Sequence, residues 1–171
     1  MKKTLWAGAL LGILLMGCAP AQPTLTTFIL VRHAEKADDG TKDPSLTAEG
    51  LARAGALAQA LSDTPIDAIY STAYKRAQET VLPVATAKGL PVLAYEAMDG
   101  GQMDRILAAH KGGTVLVSGH SNTTPWTANY FLGSPTYPDF DDADYDNMLI
   151  LSIIQKGNAK VMWLTYGVPT K

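Results

Sequence analysis

The chain has 171 residues, 14 Lys and Arg against 16 Asp and Glu for a formal charge of −2, and one cysteine. That length suits a single domain able to bury most of its apolar surface. One cysteine excludes an internal disulfide, and the mild acidity without a basic patch argues against a nucleic-acid partner.

Residues 1–17 stand apart from the rest. Met1-Lys2-Lys3 is basic, and Leu5 to Met16 is apolar but short of the ~20 residues a membrane span needs. The run closes on Leu15-Met16-Gly17-Cys18, which resembles a bacterial lipoprotein signal. The resemblance implies cleavage before Cys18 and lipidation of Cys18. The competing readings are an ordinary secretory peptide and an uncut anchor. Cys18, the one cysteine, falls at the cleavage position, which favours lipidation. Without Lys2 and Lys3, 12 basic residues face 16 acidic ones, a formal charge of −4. Residues 18–25, with Pro20 and Pro23, read as a short, semi-stiff tether. Alanine rather than aspartate after Cys18 suggests outer-membrane retention at the periplasmic face. Residues 26–171 form the expected folded domain.

Within it, strands and helices alternate. Phe28 to Val31 reads as a buried strand. Thr47 is a good N-cap with Glu49 in the first turn, and Leu51, Ala54, Leu57, Ala58 and Leu61 follow at helical spacing. Ile66 to Tyr70 is a second strand. Tyr74 to Lys88 has a helical pattern, with a kink or break expected at Pro83. Pro91 to Ala94 is a short edge strand, and Met103 to His110 a helix stopped by Gly112-Gly113. Thr114 to Ser118 is a third core strand, and Ser121 to Phe131 a helix with Pro125 in its first turns. Met148 to Ile154 and Ala159 to Leu164 close the chain as a hairpin through Lys156-Gly157-Asn158. The pattern predicts an α/β three-layer sandwich with a mostly parallel central sheet flanked by helices. Ligands in such sheets bind at the strand carboxyl ends, where His33, Ser71 and His120 all fall.

The chemistry-bearing residues recur at those ends. Arg32-His33 follows the first strand, Leu46-Thr47-Ala48-Glu49-Gly50 opens a helix, Ser71 to Arg76 follows the second strand, and Gly119-His120-Ser121-Asn122 follows the third. Four motifs in this order resemble the histidine phosphatase superfamily, the phosphoglycerate-mutase-like group, over nearly all of the chain beyond Thr26. The resemblance implies a phosphate pocket built from Arg32, His33, Arg76 and His120. It implies that His33 attacks phosphorus and forms a phosphohistidine that water then hydrolyses. The residue types suit this. A neutral imidazole approaches an anionic ester that a carboxylate would repel, and a guanidinium fork matches two phosphoryl oxygens. His120, when protonated, would add a donor, and the helix start at Ser121 and Asn122 would aim free N–H groups at the anion. Taken singly, each of these residues reads as a surface charge or a loop histidine. Arg76 alone reads as a helix-face residue paired with Glu79 or Glu49. His110 reads as a helix C-terminal residue suited to the dipole.

The proton donor to the leaving group is less legible. In the superfamily it is typically a carboxylate after the second helix, which here offers Glu96 first and Asp99 second. Glu35 is the other candidate, its plain reading being an ion pair with Lys36 or a nearby arginine. No cofactor is implied. The three histidines lack zinc-ligand spacing, and the acidic run Asp139, Asp141, Asp142, Asp144 and Asp146 lacks the glycine and glutamate of a calcium loop. That run reads as a solvated loop whose end, Tyr145-Asp146-Asn147, lines the pocket mouth. Residues 38–43 and 133–146 are the expected acidic rim, unsuited to highly anionic substrates. The function expected is a metal-independent, envelope-anchored phosphomonoester hydrolase, monomeric, acting on a small phosphorylated substrate. Its alternatives are an inactive phosphate-binding lipoprotein and, less favoured by compartment and chain length, a phosphomutase.

Overall fold

The computed structural model describes residues 23–170. The signal segment, Cys18 and most of the tether therefore lie outside the described residues. Among the described residues no helix is long and apolar enough to cross a membrane.

Six strands form one sheet: β1 (Thr26–Arg32), β2 (Ala68–Ser71), β3 (Val92–Ala94), β4 (Thr114–Gly119), β5 (Asn147–Gln155) and β6 (Asn158–Thr165). Their spatial order is β3-β2-β4-β1-β5-β6. The β3-β2, β2-β4 and β4-β1 pairs are parallel, and β5 joins β1 and β6 antiparallel. The sheet is mixed, with its parallel part at the site.

Helices α1 (Ala48–Ala60), α2 (Lys75–Lys88), α3 (Gly100–Ala109) and α4 (Thr123–Leu132) cover both faces. Strand β1 shows why. Phe28 and Leu30 point into a core with Met103, Ile106 and Phe131 of α3 and α4, whereas Ile29 and Val31 pack with Leu57, Val81 and Val84 of α1 and α2. A strand buried on both faces needs the continuous apolar run that TTFILVR supplies.

The local signals mostly act as the sequence predicts. The Thr47 side chain accepts the Gly50 N–H and caps α1. Leu51 is an exception: it faces solvent at 57% exposure, because Gly50, Arg53, Ala54 and Leu57 form the buried stripe. Helix α2 runs unbroken across Pro83, since Val81, Val84 and Ala85 on either side are packed against the sheet. Helix α3 starts three residues before the expected Met103, because Asp99 accepts the Gln102 N–H and caps it. Helix α4 starts at Thr123 rather than Ser121, with the Thr123 hydroxyl accepting the His120 N–H.

Candidate active site

His33 is the first residue beyond β1, and its backbone N–H donates to the Gly119 carbonyl at the end of β4. His120 directly follows Gly119, so the parallel β1-β4 register (Arg32 beside Gly119) brings the two histidines together. Their ring centroids are 5.4 Å apart and nearly edge-on.

The His33 ring is buried, and its Nδ1 lies 2.8 Å from the Ala34 carbonyl oxygen. A carbonyl only accepts, so Nδ1 carries the proton and Nε2 keeps its lone pair. Burial pushes the His33 pKa down to about 3, with the charges of Arg32, His120 and Arg76 lowering it further against the raising effect of the Ala34 bond. His33 is thus a neutral imidazole with one defined basic nitrogen.

The surrounding backbone holds it there. Thr80 Oγ1 accepts the Ala34 N–H at 2.9 Å and donates to the Arg76 carbonyl at 2.7 Å, tying the His33 loop to α2. From the other side the Thr47 N–H donates to the Glu35 carbonyl. A Cβ at Gly50 would collide with that same carbonyl, so the glycine lets the start of α1 close on the loop.

Two arginines flank the histidines. Arg32, at the end of β1, is 3% exposed. Its Nη1 donates to the main-chain carbonyls of Asp141 and Asp144, each at 2.8 Å, and its guanidinium lies 4.2 Å from the Tyr145 ring centroid. Arg76, in the first turn of α2, sits over the Tyr74 ring at 4.4 Å and 3.8 Å from an Asp43 carboxylate oxygen. Its ionic partner is thus Asp43 rather than Glu79 or Glu49. The Nε atoms of both arginines are buried with no protein hydrogen-bond partner. Two orphaned guanidinium donors beside two histidines mark a place for anionic oxygens.

His120 accepts from or donates to Thr72 Oγ1 through Nε2 at 3.1 Å, with Tyr74 edge-on at 5.1 Å. Burial, then Arg76 and Arg32, depress its pKa to about 4. Without an anion it is neutral, and an anion between the arginines would raise its proton affinity. Ser121 and Asn122 lead into α4, and Asn122 is its N-cap residue with no side-chain capping bond.

The three carboxylate candidates separate clearly. Glu35 is locked to Arg53 by hydrogen bonds of 2.7 to 3.0 Å. Asp99 caps α3 and lies 3.6 Å from Arg105. Glu96 is exposed just past β3, with its backbone N–H held by Gln102. His110 pairs with Tyr70 at 3.0 Å and takes no part. The loop 139–146 is only partly the solvated loop expected: Asp139, Asp141 and Asp142 are exposed, but the carbonyls of Asp141 and Asp144 grip Arg32 and the Asp142 carboxylate lies 3.8 Å from its Nη2. Among the described residues no cluster of three or more His, Cys, Asp or Glu is placed to hold a metal ion.

Sequence reasoning missed the roles of Thr72 and Thr80. Thr72 was accessible to the strand-end rule, standing one residue past β2, and Thr80 lies one helical turn after Arg76. Tyr145, expected at the pocket mouth, packs against both Arg32 and His33, at 4.2 and 6.1 Å.

The fold and the site define an α/β protein with two histidines and two arginines gathered at the carboxyl ends of its parallel strands. Residues 28–100 match the histidine phosphatase superfamily (branch 1). A 75-residue stretch is 41% identical to phosphoserine phosphatase 1 of Hydrogenobacter thermophilus, covering 40% of this chain and 36% of that relative. The chain thus matches about a third of the length of that relative. The fold resembles the protein histidine phosphatase SixA solved with tungstate (TM-score 0.67, 21% identity, 82% of this chain and 96% of that one). It also resembles a mycobacterial glucosyl-3-phosphoglycerate phosphatase (TM-score 0.65, 14% identity, 83% and 98%).

Proposed function

We propose that this protein is a phosphomonoester hydrolase working through a phosphohistidine. The observation that carries the reading is the His33 ring, neutral and buried, with Nδ1–H fixed on the Ala34 carbonyl and Nε2 left basic. Nε2 attacks phosphorus in line, and the P–O bond to the leaving group breaks. The phosphoryl charge spreads over oxygens that Arg32, Arg76 and His120 can face, with the α4 start at Ser121 and Asn122 adding N–H donors. His120 becomes protonated as the dianion binds. Water then cleaves the N–P bond and releases phosphate. No metal is needed, because the arginines supply the positive charge.

Glu96 is our choice for the acid that protonates the leaving oxygen. It stands exposed past the end of β3, whose Ala94 pairs with Ser71 at the site end of β2. Glu35 and Asp99 are each engaged elsewhere. The relative and both structural neighbours are named as phosphatases, which supports the reaction class.

The test is phosphate release from a panel of phosphomonoesters, in EDTA, by the mature chain and by His33→Ala. Turnover that vanishes in the variant supports the reading. A folded protein with no turnover on any ester would return the weight to a phosphate-binding role.

Envelope anchoring through Cys18 is part of the proposal and rests on the sequence pattern. The chain enters β1 at Thr26, at the end of the sheet opposite His33. An anchor there leaves the pocket directed away from the bilayer, towards small soluble phosphate esters. Lipid labelling that persists in Cys18→Ser would sink the anchor.

A further inference from the structure

We propose that Thr170 is a positioning residue for Arg32, acting through the loop that grips the guanidinium. The inference rests on the phosphate-binding role given to Arg32 above. Arg32 is held by main-chain oxygens of Asp141 and Asp144. Its aim therefore depends on where the loop backbone runs. At one end the loop is fixed by Phe140, which is buried and donates its N–H to the Ser121 carbonyl. At the other, the Asp146 carbonyl accepts the Tyr166 N–H.

Between those anchors, Thr170 ties down three successive residues. Its hydroxyl oxygen accepts the Tyr145 N–H at 3.1 Å and donates to Asp144 Oδ1 at 3.3 Å. Its own N–H donates to Asp146 Oδ2 at 3.3 Å. Asp144 is one of the two residues whose carbonyls hold Arg32, and Tyr145 is the ring beneath it.

Polar contacts, rather than packing, hold Thr170 itself in place. Val168 is 75% exposed, and a cleft of about 350 Å³ separates residues 167–170 from Ala52 and Ala56 of α1. The tail is secured by Arg53, which donates to the Tyr166 carbonyl at 3.0 Å and the Val168 carbonyl at 2.9 Å. The same guanidinium grips Glu35, two residues beyond His33. One buried arginine and one threonine thus brace the nucleophile's loop and the Arg32 loop against a shared tail. Burial alone would lower the Arg53 pKa, but the bonds and charge of Glu35 outweigh it, so Arg53 stays charged.

Thr170 touches neither histidine nor Arg76, so its removal should show in phosphate affinity first. The experiment uses the full chain as wild type, Thr170→Val and Thr170→Ser. It reads the Kd for inorganic phosphate by calorimetry, KM and kcat for an aryl phosphate, and Tm. Loss of the equivalent of one net hydrogen bond predicts that Thr170→Val raises Kd and KM together by about 2- to 12-fold, with kcat changed less. Thr170→Ser should restore both to within about twofold. In an Arg32→Ala background, Thr170→Val should have no further effect on Kd. A lowered Tm with unchanged Kd and KM would overturn the proposal, as would an equal loss in Thr170→Ser, additivity with Arg32→Ala, or no phosphate binding by the wild type. Phosphate binding without ester turnover would count against the hydrolase reading alone and leave the positioning role measurable.

Discussion

The buried neutral His33 makes a quantitative claim about stability against pH. Its pKa is about 3 in the fold and near 6.5 in the unfolded chain. Between those values the unfolded state binds more protons, so stability is lost as pH falls and regained as it rises. From pH 7.5 to pH 5, this single group removes about 2 kcal/mol. That figure barely depends on the folded value, because pH 5 lies above it. His120, depressed to about 4, contributes with the same sign. The assay is urea unfolding of wild type and His33→Ala at both pH values. The substitution costs stability at each pH, but the diagnostic quantity is the difference between them. The wild type should lose about 2 kcal/mol more than the variant on acidification. Equal losses would mean that His33 is not held neutral, and the assignment of Nε2 as the nucleophile would fall with it.

Other outcomes follow from the same geometry. Arg76→Ala removes charge-assisted bonds of about 1.5–3 kcal/mol, so kcat/KM on any phosphomonoester should fall by roughly 10- to 150-fold. Thr80→Val strands the buried Ala34 N–H at a cost of about 1–3 kcal/mol, readable as a lowered Tm together with reduced turnover as the His33 loop relaxes. Glu96→Gln should lower kcat for alkyl phosphates far more than for an aryl phosphate whose leaving group needs no proton; equal losses on both would remove Glu96 from that role. Asp99→Asn should leave the site intact, because asparagine also caps helices and Asp99 serves α3.

The sequence carried the fold further than it carried the site. Apolar runs, Thr47 and the terminal glycines mark their elements because those signals are local: each acts within one turn or one strand. Asp99 as a helix cap was legible in principle, three residues before Gln102, but its nearness to the leaving-group position drew the functional reading instead. The pairing of His33 with His120 was legible through strand ends alone, since a parallel sheet brings those ends together. The partner of each side chain was not. Arg53 with Glu35 spans 18 positions, and Arg32 with the Asp141 carbonyl spans 109. Such contacts depend on how a loop folds back, and the same acidic run is compatible with a solvated loop or a clamp.

The use of carbonyls to hold Arg32 has a consequence for how this surface can change over time. A main-chain acceptor is indifferent to the side chain it carries, so the two carbonyl bonds to Arg32 place no demand on the side chain of Asp139, and only the ion pair with Asp142 at 3.8 Å reads a side chain. Asp142 is 99% exposed at its side chain, so its ion pair with Arg32 is worth little and its exchange leaves the guanidinium on the two carbonyls. The charge of the pocket mouth can therefore drift towards new substrates by single substitutions, each neutral for the chemistry beneath it. Within such a lineage, the rim would diversify while Arg32, His33 and the backbone path of residues 140–146 stay fixed.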